Sequence, residues 1–317
     1  TASGKTALAI EVARELDGEI ISLDSRQAYR GFAIGTAAPT AGDLAAAPHH
    51  GVGFLDPDER YGAGRFAELA RRWIEEIEGR GRVPILAGGT GLFLRALTHP
   101  LFREPEMAPE RRRAVRAGLD ALPAETLVAW AERLDPALGG EGSPDAQRAA
   151  RTVELCLASG RPLSWWVEHG EPVRPPHSPR VLARDLTREV QRERIERRTA
   201  AWLASGAWAR EVRRLASEGR DRSRAFDALG YRDILDMVEG RLTEEQVRDR
   251  VVGDTWAYAR RQRTWFRHQL PSDTRRLDGT EPTPQLAARV AEAWRAEAQS
   301  GRGSPPGPTG REPTGRP

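Results

Sequence analysis

The chain has 317 residues, of which 39% are hydrophobic and 30% charged, and carries a formal net charge of +3; this suits about two globular domains and excludes a fibrous or wholly disordered chain. No apolar run reaches the roughly 18 residues a membrane helix needs, and no leader peptide is visible, so a cytoplasmic protein is expected. The single cysteine, Cys156, excludes an internal disulfide and a cysteine-rich zinc site, and its apolar neighbours suggest a buried small hydrophobe.

The opening run Thr1-Ala2-Ser3-Gly4-Lys5-Thr6 reads as the second half of a phosphate-binding loop, G-x-x-x-x-G-K-[ST], whose backbone N–H groups cradle phosphates while Thr6 offers its hydroxyl to Mg²⁺. The first glycine of that pattern would lie before residue 1, so the chain is expected to lack the start of the loop and the strand that feeds it. Lys5 is the only lysine; arginine supplies the other basic side chains. A compact ammonium can nestle among phosphate oxygens as a point charge. From Ala7 to Leu16 the spacing is helical, ending at Asp17-Gly18, so the loop opens a helix whose N-terminus favours an anion.

Glu19 to Asp24 is a short apolar run ending in a carboxylate, which predicts a buried strand. Asp24-Ser25-Arg26-Gln27-Ala28-Tyr29-Arg30 then carries more polar groups than a turn requires. Asp24 is placed either as an outer Mg²⁺ ligand or as a base, and the primary amide of Gln27 can pair in two places with an adenine edge. Adjacent side chains at His49 and His50 point apart, so no metal pair is expected there. Arg82 to Gly91 predicts a second buried strand, ending in a glycine turn where Thr90 can offer its hydroxyl to a phosphate oxygen. Ligands of open α/β sheets bind beyond the carboxyl ends of the strands, so Lys5, Asp24 and Thr90 are expected to converge.

The text turns helical, with many arginines and glutamates, from about Phe102 to Thr187. Thr255 to His268 interleaves four arginines with four aromatics without an acidic residue, as a surface meeting phosphates and bases would; a helix with aromatics inward and arginines solvated would read the same. The expected architecture is α/β: a P-loop NTPase-like parallel-sheet core flanked by helices, with a mostly helical insertion. Its predicted parts are 1–102 (first part of the core), 103–187 (helical insertion), 188–298 (helical remainder of the core) and 299–317, a Gly/Pro-rich tail expected to be disordered.

Taken in order, the phosphate loop and the segments Asp24–Gly31, Ile34–Thr40, Pro48–His50, Leu55–Glu59, Tyr61–Phe66, Gly88–Leu97, Asp145–Arg151, Ser159–Ser164 and Leu229–Arg232 resemble the bacterial tRNA dimethylallyltransferases, from residue 1 to about His268. Ala38 stands where that family usually has lysine, and Trp256-Ala257 stand where it usually has Arg-Gln. The resemblance implies transfer of a dimethylallyl group from dimethylallyl diphosphate to N6 of the adenosine 3′ to the tRNA anticodon. It also implies a leaving diphosphate held by Thr1, Ala2, Ser3, Gly4, Lys5 and Thr6 with Mg²⁺, and chemistry by Asp24, Thr90 and Lys5. Asp24, Ser25, Arg26, Gln27 and Thr90 would meet the target base, and Arg112, Gln147, Arg148, Ala149, Ala150 and Arg151 the anticodon stem-loop. Arg194 and Arg198 match an arginine pair of the family. No protein partner or membrane is implied, and a monomer is expected. The residues alone leave two other readings open: a P-loop kinase of a small metabolite using ATP, and a nucleotide-gated RNA-binding module.

Overall fold

A computed structural model describes residues 1–99, 102–139, 145–171 and 177–299 and divides the chain into two compact units, Thr1–Thr98 with Ser178 onward, and His99–His177. The tail expected beyond 299 lies outside the described residues.

The first unit opens with α1 (Lys5–Leu16), which runs into β1 (Gly18–Leu23). There follow α2 (Ala41–Ala46), β2 (His49–His50), α3 (Ala63–Gly79), β3 (Val83–Gly88) and α4 (Gly91–Thr98). β1 is buried along its whole length and lies between β2 and β3, parallel to both, as a continuous apolar run in an α/β sheet should. On α3, Phe66, Ala70, Ile74 and Ile77 repeat at helical spacing and pack with Ile21 and Leu23 of β1 and with Phe93 and Leu97 of α4, which sets the direction in which β1 ends. Leu8 and Val12 of α1 pack with Leu286, while Ala9, Ile10 and Ala13 pack with Ile20.

The second unit contains α5 (Pro109–Asp120), α6 (Ala124–Leu134), α7 (Ala146–Ser159) and α8 (Leu163–His169). Its core is Leu119, Leu127, Ala131, Ala149 and Val153. The buried Glu154 is held by Arg116 at 2.8 Å and Arg151 at 3.1 Å. Cys156 is half-buried rather than fully buried.

The chain then returns to the first unit with β4 (Leu182–Asp185), α9 (Arg188–Ala204), α10 (Ala207–Ser217), α11 (Tyr231–Val238), α12 (Glu244–Gln269), β5 (Arg275–Asp278) and α13 (Thr283–Gln299). β4 and β5 pair in parallel as a two-stranded sheet. Residues 178–187, assigned to the insertion on composition, therefore belong with the first unit.

Glu19 ties the sheet together at the end away from the glycine turn. Its nearly inaccessible carboxylate accepts from Arg80 at 3.0 and 2.8 Å and from Arg82 at 3.4 Å, and lies 2.7 Å from His50 Nε2. Arg80 before all else holds this carboxyl down at about 2. A lowered folded-state value means that the stabilisation is present above the ordinary glutamate range and is lost as the pH falls through about 2. Glu19→Gln is expected to cost about 1.5–3 kcal/mol, the worth of hydrogen bonds to a charged group, because both arginines can still reach water. The urea midpoint at neutral pH measures this, and the difference from the parent should shrink in acid.

Candidate active site

The site is assembled where α1 begins and where β1 and β3 end. Ala2 and Gly4 have left-handed backbones, with φ of 54° and 75°, and curl the loop ahead of Lys5. No side chain caps α1, and no acid stands in its first turn. Its first N–H groups are thus left for an anion. Lys5 Nζ donates to Ser3 Oγ at 3.4 Å. Burial lowers the Lys5 ammonium; Asp24 opposes that, while Arg198 and Arg184 add to it.

Those two arginines come from distant parts of the chain. Arg184 on β4 donates to Gly4 O at 2.7 Å and to Gly279 O at 3.2 Å. Arg198 on α9 stacks over Trp202 with its guanidinium carbon 4.7 Å from the ring centre. The Nε–H groups of both are buried and have no hydrogen-bond partner among the described residues. Arg194, one turn before Arg198, donates to Gly279 O at 3.4 Å.

Asp24 follows β1 directly and accepts from Arg26 N at 2.8 Å and Gln27 N at 3.4 Å. Burial raises its carboxyl above the ordinary aspartate value, outweighing those two amides and Lys5. Thr90 is bound to the same turn: its N–H and that of Gly89 donate to Leu23 O at 3.1 and 3.2 Å, and its Oγ1 accepts from Ser25 N at 3.3 Å. Arg26 donates to Arg224 O at 3.0 Å. The amide of Gln27 is spent within the protein: its oxygen accepts from Ser22 Oγ at 2.9 Å, and its nitrogen donates to Thr36 O and Ala37 O at 3.3 and 2.9 Å. In this arrangement Gln27 fixes the turn at Thr36-Ala37 rather than presenting a free edge to a base.

Helix α12 covers the strand-end turns with a face that repeats at 258, 262 and 265, positions that share one side of a helix. The Tyr258 hydroxyl is raised first by burial and then by the Asp24 charge, with Gln262 and Thr90 as hydrogen-bonding neighbours. Gln262 Nε2 donates to Gly89 O at 2.8 Å. Tyr258 and Gln262 lie in the Thr255–His268 segment that its arginines and aromatics single out in the sequence, but nothing there places them beside Asp24 and Gly89, and no pattern marks Arg184.

The residues matched to stem-loop contacts form their own cluster in the second unit. Arg112 pairs with Glu104 at 2.6 Å, and Arg151 pairs with Glu104 and Glu154. Arg148 N donates to the Asp145 side chain that caps α7, at 2.8 Å. Gln147 and Arg148 are exposed and Ala150 is half-buried. Ala149 is wholly buried in the core of this unit, so it packs α7 and offers nothing to a ligand. Among the described residues no group of three or more His, Cys, Asp and Glu side chains could hold a metal ion, and no helix is long and apolar enough to cross a membrane.

A family model for IPP transferase matches residues 27–269. The tRNA dimethylallyltransferase of Sorangium cellulosum is 43% identical over 85% of this chain and 86% of its own length. The solved tRNA isopentenylpyrophosphate transferases of Bacillus halodurans and Staphylococcus epidermidis superpose with TM-scores of 0.67 and 0.65 at 27% and 28% identity, covering 95% and 94% of this chain and 94% and 96% of theirs. The P-loop-like α/β core and the helical unit are thus matched across the length of the molecule, and the chain belongs to the IPP transferase family.

Proposed function

We infer that this protein transfers the dimethylallyl group of dimethylallyl diphosphate to the exocyclic N6 of the adenosine 3′ to the anticodon in tRNA. The observation that carries the assignment is the closeness of a half-buried carboxylate, Asp24, to a cationic loop at Lys5, where Arg184 and Arg198 keep buried Nε–H groups without partners among the described residues. Several cations gathered around one carboxylate call for an anion, and a diphosphate supplies it.

In the reaction, N6 attacks the first carbon of the allyl group and the carbon–oxygen bond to the diphosphate breaks. The electron pair of that bond leaves on the diphosphate oxygen. Lys5, the N–H groups at the start of α1 and the arginines spread the charge as it develops, the kind of prepared electrostatic support that dominates many enzymes. An exocyclic adenine amine is a poor nucleophile because its lone pair is delocalised into the ring. Asp24 accepts its proton as the new bond forms, and the base must leave its stack to come within reach.

We propose Mg²⁺ as the accompanying cation. Mg²⁺ is commonly held by one or two protein oxygens together with substrate phosphates and water, so the Thr6 hydroxyl in the first turn of α1 is a suitable donor without an acidic cage. When bound, the ion would neutralise part of the diphosphate charge. A cytoplasmic location follows from the substrate proposed.

The test is incubation with unmodified tRNA, Mg²⁺ and either dimethylallyl diphosphate or ATP, followed by digestion and nucleoside mass spectrometry. A dimethylallyl mass gain on adenosine is expected with the allylic donor. ATP consumption with no modified adenosine would overturn the assignment in favour of a kinase.

A further inference from the structure

We propose that Gln262 is a positioning residue that sets the distance between the leaving diphosphate and the Asp24–Thr90 pair, bridging the phosphate loop to the glycine turn with a single side-chain amide.

Its Oε1 accepts from the Thr1 hydroxyl at 2.8 Å, and its Nε2 donates to Gly89 O at 2.8 Å. On one side Thr1 leads into the loop that grips the leaving group. On the other, Gly89 leads to Thr90, whose hydroxyl accepts from Ser25 N beside Asp24. The electrophile and the base are carried on two separate backbone segments, and this amide joins them.

The seat is built for close approach. A Cβ on Gly89 would lie 2.3 Å from Gln262 Nε2, and one on Gly91 would lie 2.4 Å from the Trp265 ring. The Trp265 ring leaves no room for a Cβ at 91, and a Cβ at 89 would push the Gln262 amide off Gly89 O. Thr1 is gripped from its other side as well: the buried Gln191 on α9 donates to Thr1 O at 2.7 Å, and its own oxygen accepts from Arg263 of α12 at 2.6 Å. The loop therefore has a fixed attachment to α9, while Gln262 ties it by hydrogen bonds to the glycine turn. A carboxylate at 262 would still accept from Thr1 but would oppose Gly89 O; a thioether would do neither.

This inference rests on the transferase reading above. Productive geometry demands reacting atoms about 3–3.5 Å apart, and a misplacement of about 1 Å can cost on the order of 10²-fold. Gln262→Met is accordingly expected to lower kcat for tRNA dimethylallylation by about 10²-fold while KM for dimethylallyl diphosphate changes by no more than about threefold. Gln262→Glu supplies the signature: its activity relative to the parent at each pH should rise as the pH falls, because the new carboxyl, once protonated, can donate to Gly89 O. Parent enzyme that makes no dimethylallyladenosine would defeat the transferase reading itself. With an active parent, a Gln262→Met kcat within about twofold of normal, or a Gln262→Glu ratio that is flat with pH, would overturn the positioning role. A loss that tracks a lowered melting temperature in both variants would overturn it too, assigning Gln262 to stability alone.

Discussion

Asp24→Asn is expected to reduce the rate of dimethylallyl transfer by about 10²- to 10⁴-fold, the usual contribution of a general base, while diphosphate binding is retained. An asparagine oxygen can still accept from Arg26 N and Gln27 N, which now hold the carboxylate at 2.8 and 3.4 Å, so the turn should keep its shape. Single-turnover rates with saturating tRNA separate the chemical step from product release. The pH profile adds a second reading. A base works only when ionised, and burial raises Asp24 above the ordinary aspartate value of 3.8; parental activity should therefore decline as the pH falls through that raised value, and the residual rate of the variant should not. Stability should move the opposite way from activity. A carboxyl with a raised folded-state value stabilises the fold in its protonated form, and that contribution is lost as the pH rises through the raised value. At neutral pH the buried charge is a burden, and the asparagine variant should melt no lower than the parent. Near-normal turnover would end the role of Asp24 as base.

The parts of this site that were legible in the sequence are those made by neighbours in the chain. The phosphate loop, the carboxylate after β1 and the threonine after β3 each announce themselves within a few residues, because glycine, an apolar run and a helix start are local signals. Their convergence also follows from the parallel pairing of β1 with β3, which the two apolar runs imply. What escaped depends on contacts across long stretches of chain. Arg184 lies 180 residues from the Gly4 carbonyl it binds, and Gln262 lies 173 residues from Gly89; neither residue type carries a local pattern that would disclose such a partner. The strands holding Arg184 and its neighbour were hidden for another reason. Leu-Ala-Arg-Asp and Arg-Arg-Leu-Asp are short, largely exposed edges, without the apolar continuity that marks a buried strand. Ala149 shows the reverse failure: a motif match assigns a segment, but in a helix only part of that segment faces outward, and Ala149 lies on the packed side.

The largest loss beside that of the base should come from Lys5→Met, with transfer falling by about 10²- to 10³-fold, the typical effect of removing one group that stabilises developing negative charge. Methionine keeps length and removes the ammonium, so the effect should be electrostatic. Without ligand the variant should be at least as stable as the parent. Burial lowers the Lys5 ammonium first, and Arg198 and Arg184 add to this; the folded protein thus holds that proton less tightly than the unfolded chain does, and the charged lysine costs stability below its lowered value, a cost that fades as the pH rises through it. An added diphosphate reverses the balance by giving the cation a partner. A ligand present at 100 times its dissociation constant stabilises by about 2.7 kcal/mol, so inorganic diphosphate should raise the melting temperature of the parent clearly and that of Lys5→Met far less. Lys5→Arg should restore little, since a planar guanidinium cannot take the place of a compact ammonium in a site that already holds two arginines. If the methionine variant gained as much thermal stability from diphosphate as the parent, the loop would be binding its anion through backbone and arginines alone, and Lys5 would lose its part in gripping the leaving group.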